Sequence, residues 1–252
     1  KEIEFFNTTR RTLDQDITKE ALHQIEELDE FDHSTTVVYD PSWKKGVIGI
    51  VASRLIETYY RPTLVFTKSG DFLAASARSV RGFDVYKALQ HCSAYIEQFG
   101  GHKYAAGLTI KEENYELFKQ AFEKEVSQSI PSHLTTPEVL IDLELSITDI
   151  TPKFYRILKQ FAPFGPQNMS PVFMTSAVMD SGYGKCVGQE DKHLKLSISQ
   201  NNSPTINCIG FGLGDQLEVI KNKTPFKIAY SIDENEWNGR VSLQLKLKDI
   251  KP

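Results

Sequence analysis

Residues 99–107 read Phe99-Gly100-Gly101-His102-Lys103-Tyr104-Ala105-Ala106-Gly107, residue types that together suit an anion. Two adjacent glycines put no side chain between the backbone and a ligand, and His102 adds an imidazole. A turn of this kind points backbone N–H groups inward, so phosphate or a terminal nucleotide is its natural ligand. Ala105, Ala106 and Gly107 keep the next segment tightly packed. Upstream, Ala75-Ser76-Ala77-Arg78-Ser79 sets an arginine among small residues that leave it room to reach outward. A guanidinium grips phosphate through two parallel hydrogen bonds, and Ser76 and Ser79 can donate more. Each has a plainer alternative: a surface or salt-bridged Arg78, a His102 that caps local backbone, serines that end strands, a Tyr104 that is core.

Gly46 and Gly49 open a segment rich in Val, Ile and Ala, where close helix packing is their expected work. A helix N-terminus there would attract anions, and Lys44 would serve a phosphate. Arg54 and Arg61 either face a ligand or pair with Glu57. Asp32-His33-Ser34 reads as a solvated helix terminus, and the six histidines of the chain are scattered singly. No histidines and carboxylates are spaced as a metal centre.

The elements that must position these groups follow from periodicity. Residues 7 to about 30 repeat apolar positions three and four apart, from Leu13 and Ile17 to Ile25 and Leu28, which predicts an amphipathic helix. Strands are expected at Thr35–Tyr39, Thr63–Thr67 and Phe72–Ser79, and helices at Gly46–Tyr59, Val85–Gln98 and Asn114–Gln128. Lys103–Gly107 continues as a short helix or strand, and Leu108–Ile110 as a strand. Alternating strands and helices imply an α/β domain. Residues 129–137 form a linker with two prolines. Beyond it Val139–Leu145 alternates as a strand, and Thr151-Pro152 caps a short helix to about Phe161. Short strands near 171–180, 182–187, 192–199, 204–211, 225–233 and 240–249 predict a small closed barrel, with a hairpin turn at Glu236–Gly239. Gly210-Phe211-Gly212-Leu213-Gly214 lacks the full spacing of a dinucleotide loop and reads as a turn between barrel elements.

The 252 residues can bury one sizeable core or two modest ones. A formal charge of −4 excludes a protein that coats nucleic acid by bulk electrostatics. Residues 1–136 carry 16 basic and 20 acidic side chains, and residues 137–252 carry 13 of each, so a nucleic-acid site must be a focused groove. No apolar run approaches the length of a membrane span. Cys92, Cys186 and Cys208 form no CxxC pair, which suits a reducing cytoplasm. The start at Lys1-Glu2, without Met, agrees with a trimmed fragment.

These motifs resemble RecJ, the single-strand-specific 5′→3′ DNA exonuclease family of the DHH phosphoesterase superfamily. The resemblance runs through Trp43, Gly46-Val47-Ile48-Gly49-Ile50-Val51-Ala52-Ser53-Arg54-Leu55, Arg61-Pro62, Ala77-Arg78-Ser79, Gly82-Phe83-Asp84 and the glycine-glycine-histidine run. It continues in Phe164-Gly165-Pro166-Gln167-Asn168, His193-Leu194-Lys195-Leu196 and Asn235-Glu236-Trp237-Asn238-Gly239. It implies a connector helix from a missing catalytic domain at 1–34, a DHHA1-type α/β substrate-binding domain at 35–130, a linker at 131–137 and an OB barrel at 138–252. The catalytic DHH domain, with two Mn2+ or Mg2+ ions, is expected to be absent, leaving a fragment that binds substrate without cleaving it.

In such an enzyme Arg78, Ser76, Ser79, Gly100, Gly101, His102 and Lys103 would hold the 5′ end of single-stranded DNA. His102 would neutralise charge on the phosphoryl oxygens in the transition state. Lys44 stands where the family commonly has histidine. In the barrel, Phe164, Tyr183, His193 and Trp237 would stack on bases, while Lys185, Lys192, Lys195 and Arg240 track phosphates. Repair and recombination in the cytoplasm, with single-strand-binding protein or a RecQ-type helicase as partners, are the implied setting. Two other readings share these residues: a DHH-type phosphoesterase acting on short oligonucleotides or cyclic dinucleotides, and a non-enzymatic scaffold module for repair proteins.

Overall fold

The computed structural model describes residues 2–221 and 224–252, without the side chains of Glu2, Ile3 and Trp237. The chain divides into two compact units, 1–137 and 138–252.

In the first unit, β1 (Thr36–Tyr39), β2 (Thr63–Ser69), β3 (Phe72–Arg78), β4 (Gln98–His102) and β5 (Ala105–Lys111) form one sheet in the order β1-β2-β3-β5-β4. Only the β1–β2 pair is parallel. Strand alternation sorts the side chains. Ala75, Ala77, Leu108 and Ile110 join the core formed with α3 (Val85–His91) and α4 (Tyr115–Ser129). Val38 and Val65 join the core formed with α1 (Glu2–Glu27) and α2 (Ile48–Tyr59). Helix α2 buries Ile48, Val51, Ala52 and Leu55 and ends at Tyr60, in the left-handed region at φ 44°, two residues before Pro62.

Helix α1 is anchored over its C-terminal half, from Asp14 onward. Ile17, Ala21 and Ile25 are buried, Trp43 Nε1 donates to Glu20 Oε2 at 2.7 Å, and the Gln24 amide brackets the Tyr39 backbone at 3.0 and 3.1 Å. Arg54 pairs with buried Asp14 at 2.7 Å, not with Glu57. Buried Arg61 donates to Thr36 Oγ1 at 2.8 Å and to the carbonyls of Phe31 and His33 at 3.0 and 2.6 Å. Both arginines hold the fold through these partners.

The glycine-glycine-histidine run corrects the sequence expectation. The helix from Val85 stops at His91, a 3-10 turn covers Ser93–Tyr95, and Gln98–His102 is an edge strand. Pairing with β5 decides this: Gly100 lies opposite Gly107, Gly101 opposite Ala106 and His102 opposite Ala105, leaving Lys103-Tyr104 as the hairpin loop. Gly101 is required there. Its φ is +152°, and a Cβ would fall 2.4 Å from the Ala105 carbonyl oxygen. Tyr104, a ligand candidate whose plainer alternative is a core position, is 45% exposed.

The second unit contains β6 (Leu143–Glu144), α5 (Pro152–Leu158), β7 (Phe173–Asp180), β8 (Lys185–Val187), β9 (His193–Ser199), β10 (Ile206–Gly210), α6 (Leu217–Lys221), β11 (Phe226–Trp237) and β12 (Arg240–Lys251). Strands β7, β9, β10, β12 and β11 pair in that order, and β11 returns to β7, closing a five-stranded ring. The β10–β12 pair is parallel, and α6 precedes the fourth ring strand. This is the Greek-key barrel of the OB fold. The ring encloses Leu194, Leu196, Ile198, Cys208, Tyr230 and Leu245. The buried Tyr230 hydroxyl bonds Thr175 Oγ1 at 2.8 Å, and burial pushes its pKa up to about 12.

Thr151 caps α5 by accepting from the Phe154 N–H at 3.1 Å. The strand expected at Val139–Leu145 shrinks to Leu143–Glu144, the two residues in ladder register with β7.

Candidate functional site

The register of the first sheet places Arg78 opposite Ala105 and His102 opposite the same alanine. Directly opposed residues share a sheet face, so Arg78 and His102 lie on one row with a methyl group between them. Two strand spacings separate their backbones, about 10 Å. Ser76, Gly107 and Gly100 form the next row on that face.

Arg78 is held from one side only. Its Nη1 donates to Ser76 Oγ at 3.0 Å and to the Ala77 carbonyl at 2.8 Å. Among the described residues no carboxylate pairs with it. Small neighbours and this anchoring leave the rest of the guanidinium able to bind an anion. His102 is exposed at the end of β4, opposite the small Ala105.

The glycine row opens a groove of about 870 Å3 next to Ser76, lined by Ser76, Gly100, Gly107, Thr109 and Lys45 among others, with Arg78 and His102 outside its lining. A Cβ at Gly100 would meet no atom within 4 Å. That glycine therefore keeps the floor clear and is not demanded by packing. Lys45, which the sequence reading passed over, lines the groove. Lys44 does not; its carbonyl accepts from the N–H groups of Val47 and Ile48 where α2 begins.

Ser79 is already committed. Its hydroxyl donates to the Phe83 carbonyl at 3.0 Å and its N–H to the Tyr104 carbonyl at 3.1 Å, so it fixes the loop next to Arg78. Lys103 lies over the Tyr104 ring, 5.3 Å from its centroid. Gly46 has open space around it, whereas Gly49 abuts Arg78 and Ser76.

On the barrel a second groove, of about 880 Å3, gathers His193, Lys195 and Arg240 with Asn207, Ile209, Phe211, Gln244 and Lys246. It crosses the ring strands β9, β10 and β12. OB folds bind oligonucleotides on the face of their second and third strands, here β9 and β10. Lys185, Lys195, Ile209 and Lys246 are successive partners across four strands, so three lysines share one row.

His193 accepts the Gly212 N–H at Nδ1, 3.2 Å away. The proton of its neutral ring is then on Nε2. Its ring stands edge-on to Phe211, centroids 5.2 Å apart, and a Cβ on Gly188 would lie 2.8 Å from it. Phe211 is 62% exposed, an aromatic platform missed because its glycine-flanked position reads as a turn.

Lys246 is paired with Asp233. Burial by itself raises the Asp233 pKa, but hydrogen bonds from Lys246, the Glu234 N–H and Tyr155 outweigh it and hold the carboxyl below its ordinary value.

The remaining barrel candidates lie elsewhere. Tyr183 is exposed in the loop before β8 and Lys185 is exposed on β8; neither lines the groove. Lys192 pairs with Glu190. Phe164 sits in a tight loop closed by Asn168, whose amide donates to the carbonyls of Phe161 and Pro163, both at 2.9 Å. The Trp237 side chain lies outside the described residues; its backbone pairs with Arg240.

Both units have relatives. Residues 32–128 match the DHHA1 domain family and residues 141–249 match the RecJ OB domain family. Together they define a protein with a DHHA1 domain followed by an OB domain. The chain is 32% identical over 251 residues to the single-stranded-DNA-specific exonuclease RecJ of Bacillus subtilis, covering 98% of this chain and 31% of that protein. It is 30% identical over 263 residues to the protein of the same name from Escherichia coli, covering 100% and 44%. The crystal structure of RecJ from Thermus thermophilus in complex with Mg2+ has the same fold over 100% of this chain and 37% of that one, with TM-score 0.80 at 24% identity. The chain is thus similar to RecJ along its whole length, with a DHHA1 domain followed by a RecJ OB domain. It spans between about a third and just under half of the length of the curated relatives it matches.

Proposed function

We propose that this chain is the substrate-binding portion of a RecJ-like, single-strand-specific 5′→3′ DNA exonuclease. The observation that carries the reading is the row Arg78–Ala105–His102 beside a glycine-floored groove, in a chain that also has an OB groove lined by basic and aromatic side chains. Arg78, steadied by Ser76, takes the 5′-terminal phosphate through charge-assisted hydrogen bonds. His102, at the far end of the same row, offsets charge on the neighbouring phosphoryl oxygens. In the barrel, His193 and Phe211 stack on bases while Lys185, Lys195 and Arg240 follow the phosphates.

RecJ from Thermus thermophilus has been solved with Mg2+ and with Mn2+. Among the described residues here, no group of three His, Cys, Asp or Glu side chains is placed to hold such an ion. The chemistry assigned to this chain is binding, orientation and charge neutralisation, with hydrolysis assigned to the metal domain of the parent enzyme.

Two assays on the purified chain test the reading. A labelled 20-mer single strand should bind more tightly than its duplex or a dinucleotide, and Mn2+ should give no mononucleotide release. Preference for the dinucleotide, or brisk hydrolysis, contradicts it.

A further inference from the structure

Gly49 lies in the first turn of α2, where it faces β3. A Cβ placed on it would fall 2.9 Å from Arg78 Nη2 and 2.9 Å from Ser76 Oγ. Both atoms belong to the pair that anchors the guanidinium, since Arg78 Nη1 donates to Ser76 Oγ. Its φ is not in the left-handed region, so the backbone makes no demand for glycine at this position. Glycine inside a helix costs up to about 1 kcal/mol relative to alanine. Gly46, just ahead of the helix, has nothing within 4 Å of its would-be Cβ. The two glycines therefore differ in kind.

We propose that Gly49 is a positioning residue: its missing side chain is the space in which the Arg78 guanidinium lies along Ser76. The proposal rests on the reading of Arg78 as the 5′-phosphate contact. The three atoms nearest a methyl group at 49 all belong to the side chains of Arg78 and Ser76. The side chains give way and the fold stays. The cost then falls on the guanidinium's direction, to which a planar fork is sensitive when it must meet a phosphate edge-on.

The test is a double-mutant cycle read as the ratio of affinities for 5′-phosphorylated and 5′-hydroxyl versions of one labelled single strand. Thermal melting of each variant is followed in parallel. Gly49→Ala is expected to lower that ratio about tenfold or more, within the range set by loss of a charge-assisted hydrogen bond. Its melting temperature should be unchanged or raised, and Gly46→Ala should leave the ratio alone. In an Arg78→Ala background, Gly49→Ala should have no further effect on the ratio.

A normal ratio in Gly49→Ala, while Arg78→Ala abolishes it, overturns the positioning role and leaves the phosphate reading intact. A loss that is equally large in both backgrounds also overturns it, since Gly49 would then act independently of Arg78. If Arg78→Ala leaves the ratio unchanged, the phosphate reading fails and the role of Gly49 falls with it.

Discussion

Arg78 and His102 share one cross-strand row, each directly opposite Ala105, although 24 positions separate them in sequence. The alanine between them keeps the row low, and the next row, Ser76–Gly107–Gly100, is lower still. A basic group at each end and small residues between form a shallow trough.

The floor of that trough can be tested without disturbing the fold. Gly100 has no neighbour within 4 Å of its would-be Cβ, and for Gly107 the nearest atom is the Ala75 carbonyl oxygen at 3.8 Å. Gly100→Ala and Gly107→Ala should melt at the wild-type temperature or higher, because strand glycine costs roughly 0.5–1 kcal/mol. Both should bind single-stranded DNA more weakly. Gly101→Ala should instead lose stability, given its φ of +152° and the 2.4 Å approach to the Ala105 carbonyl. Wild-type binding by Gly100→Ala would show that the ligand does not use this floor.

Arg61 provides the contrasting case of an arginine that works inside the fold. Arg61→Met removes three donated hydrogen bonds, to Thr36, Phe31 and His33, and leaves the two carbonyls without that donor. Destabilisation of about 2–4 kcal/mol is expected by denaturant titration. The 5′-phosphate preference of the folded protein should be unaltered. A stable Arg61→Met with lost phosphate preference would reverse the roles assigned to Arg61 and Arg78.

Much of this was legible from the residues. The Val-, Ile- and Ala-rich run after Gly46 folds as the helix its pattern predicts, and the alternation of His193, Lys195 and Ser197 with Leu194, Leu196 and Ile198 marks one wet and one buried face of β9. The glycine run was harder to read. Gly100 and Gly101 signal a turn by local propensity, and only pairing with Ala105–Gly107, invisible to any local pattern, makes them a strand. Lys44 and Lys45 are neighbours of equal chemistry, and which one lines the groove depends on how α2 begins. The partners of Arg54 and Arg61 come from α1, β1 and the segment before β1, beyond the reach of helical spacing.

The barrel groove predicts a salt signature. Each phosphate contact on a single strand contributes about −0.7 to the slope of log affinity against log salt concentration. Lys195→Ala and Arg240→Ala should each flatten the slope by about that much. Phe211→Ala should weaken binding by about 1–3 kcal/mol, the contribution of one stacked base, with the slope unchanged. Unchanged affinity and slope in all three variants would remove the groove from the DNA path.

Asp233 pairs with Lys246 and brings a pH dependence to that face. Its carboxyl titrates below the ordinary value, so its contribution to stability is fully present above about pH 4 and is lost as pH falls through the depressed folded pKa. Asp233→Asn should abolish that acid-side loss and free Lys246 for phosphate, giving tighter DNA binding at pH 7 and a steeper salt slope. Weaker binding by Asp233→Asn would show that the carboxylate orders the face more than it screens it.

The most direct test of the central claim is fluorescence anisotropy of one labelled single-stranded DNA with a 5′-phosphate or a 5′-hydroxyl. Wild type, Arg78→Ala, His102→Ala and the double variant are compared at fixed salt. The account predicts tighter binding of the phosphorylated end by wild type, a preference abolished by Arg78→Ala and absent from the double variant, with residual affinity retained by the barrel. Equal binding of both ends by wild type, or a preference that survives in the double variant, would contradict it.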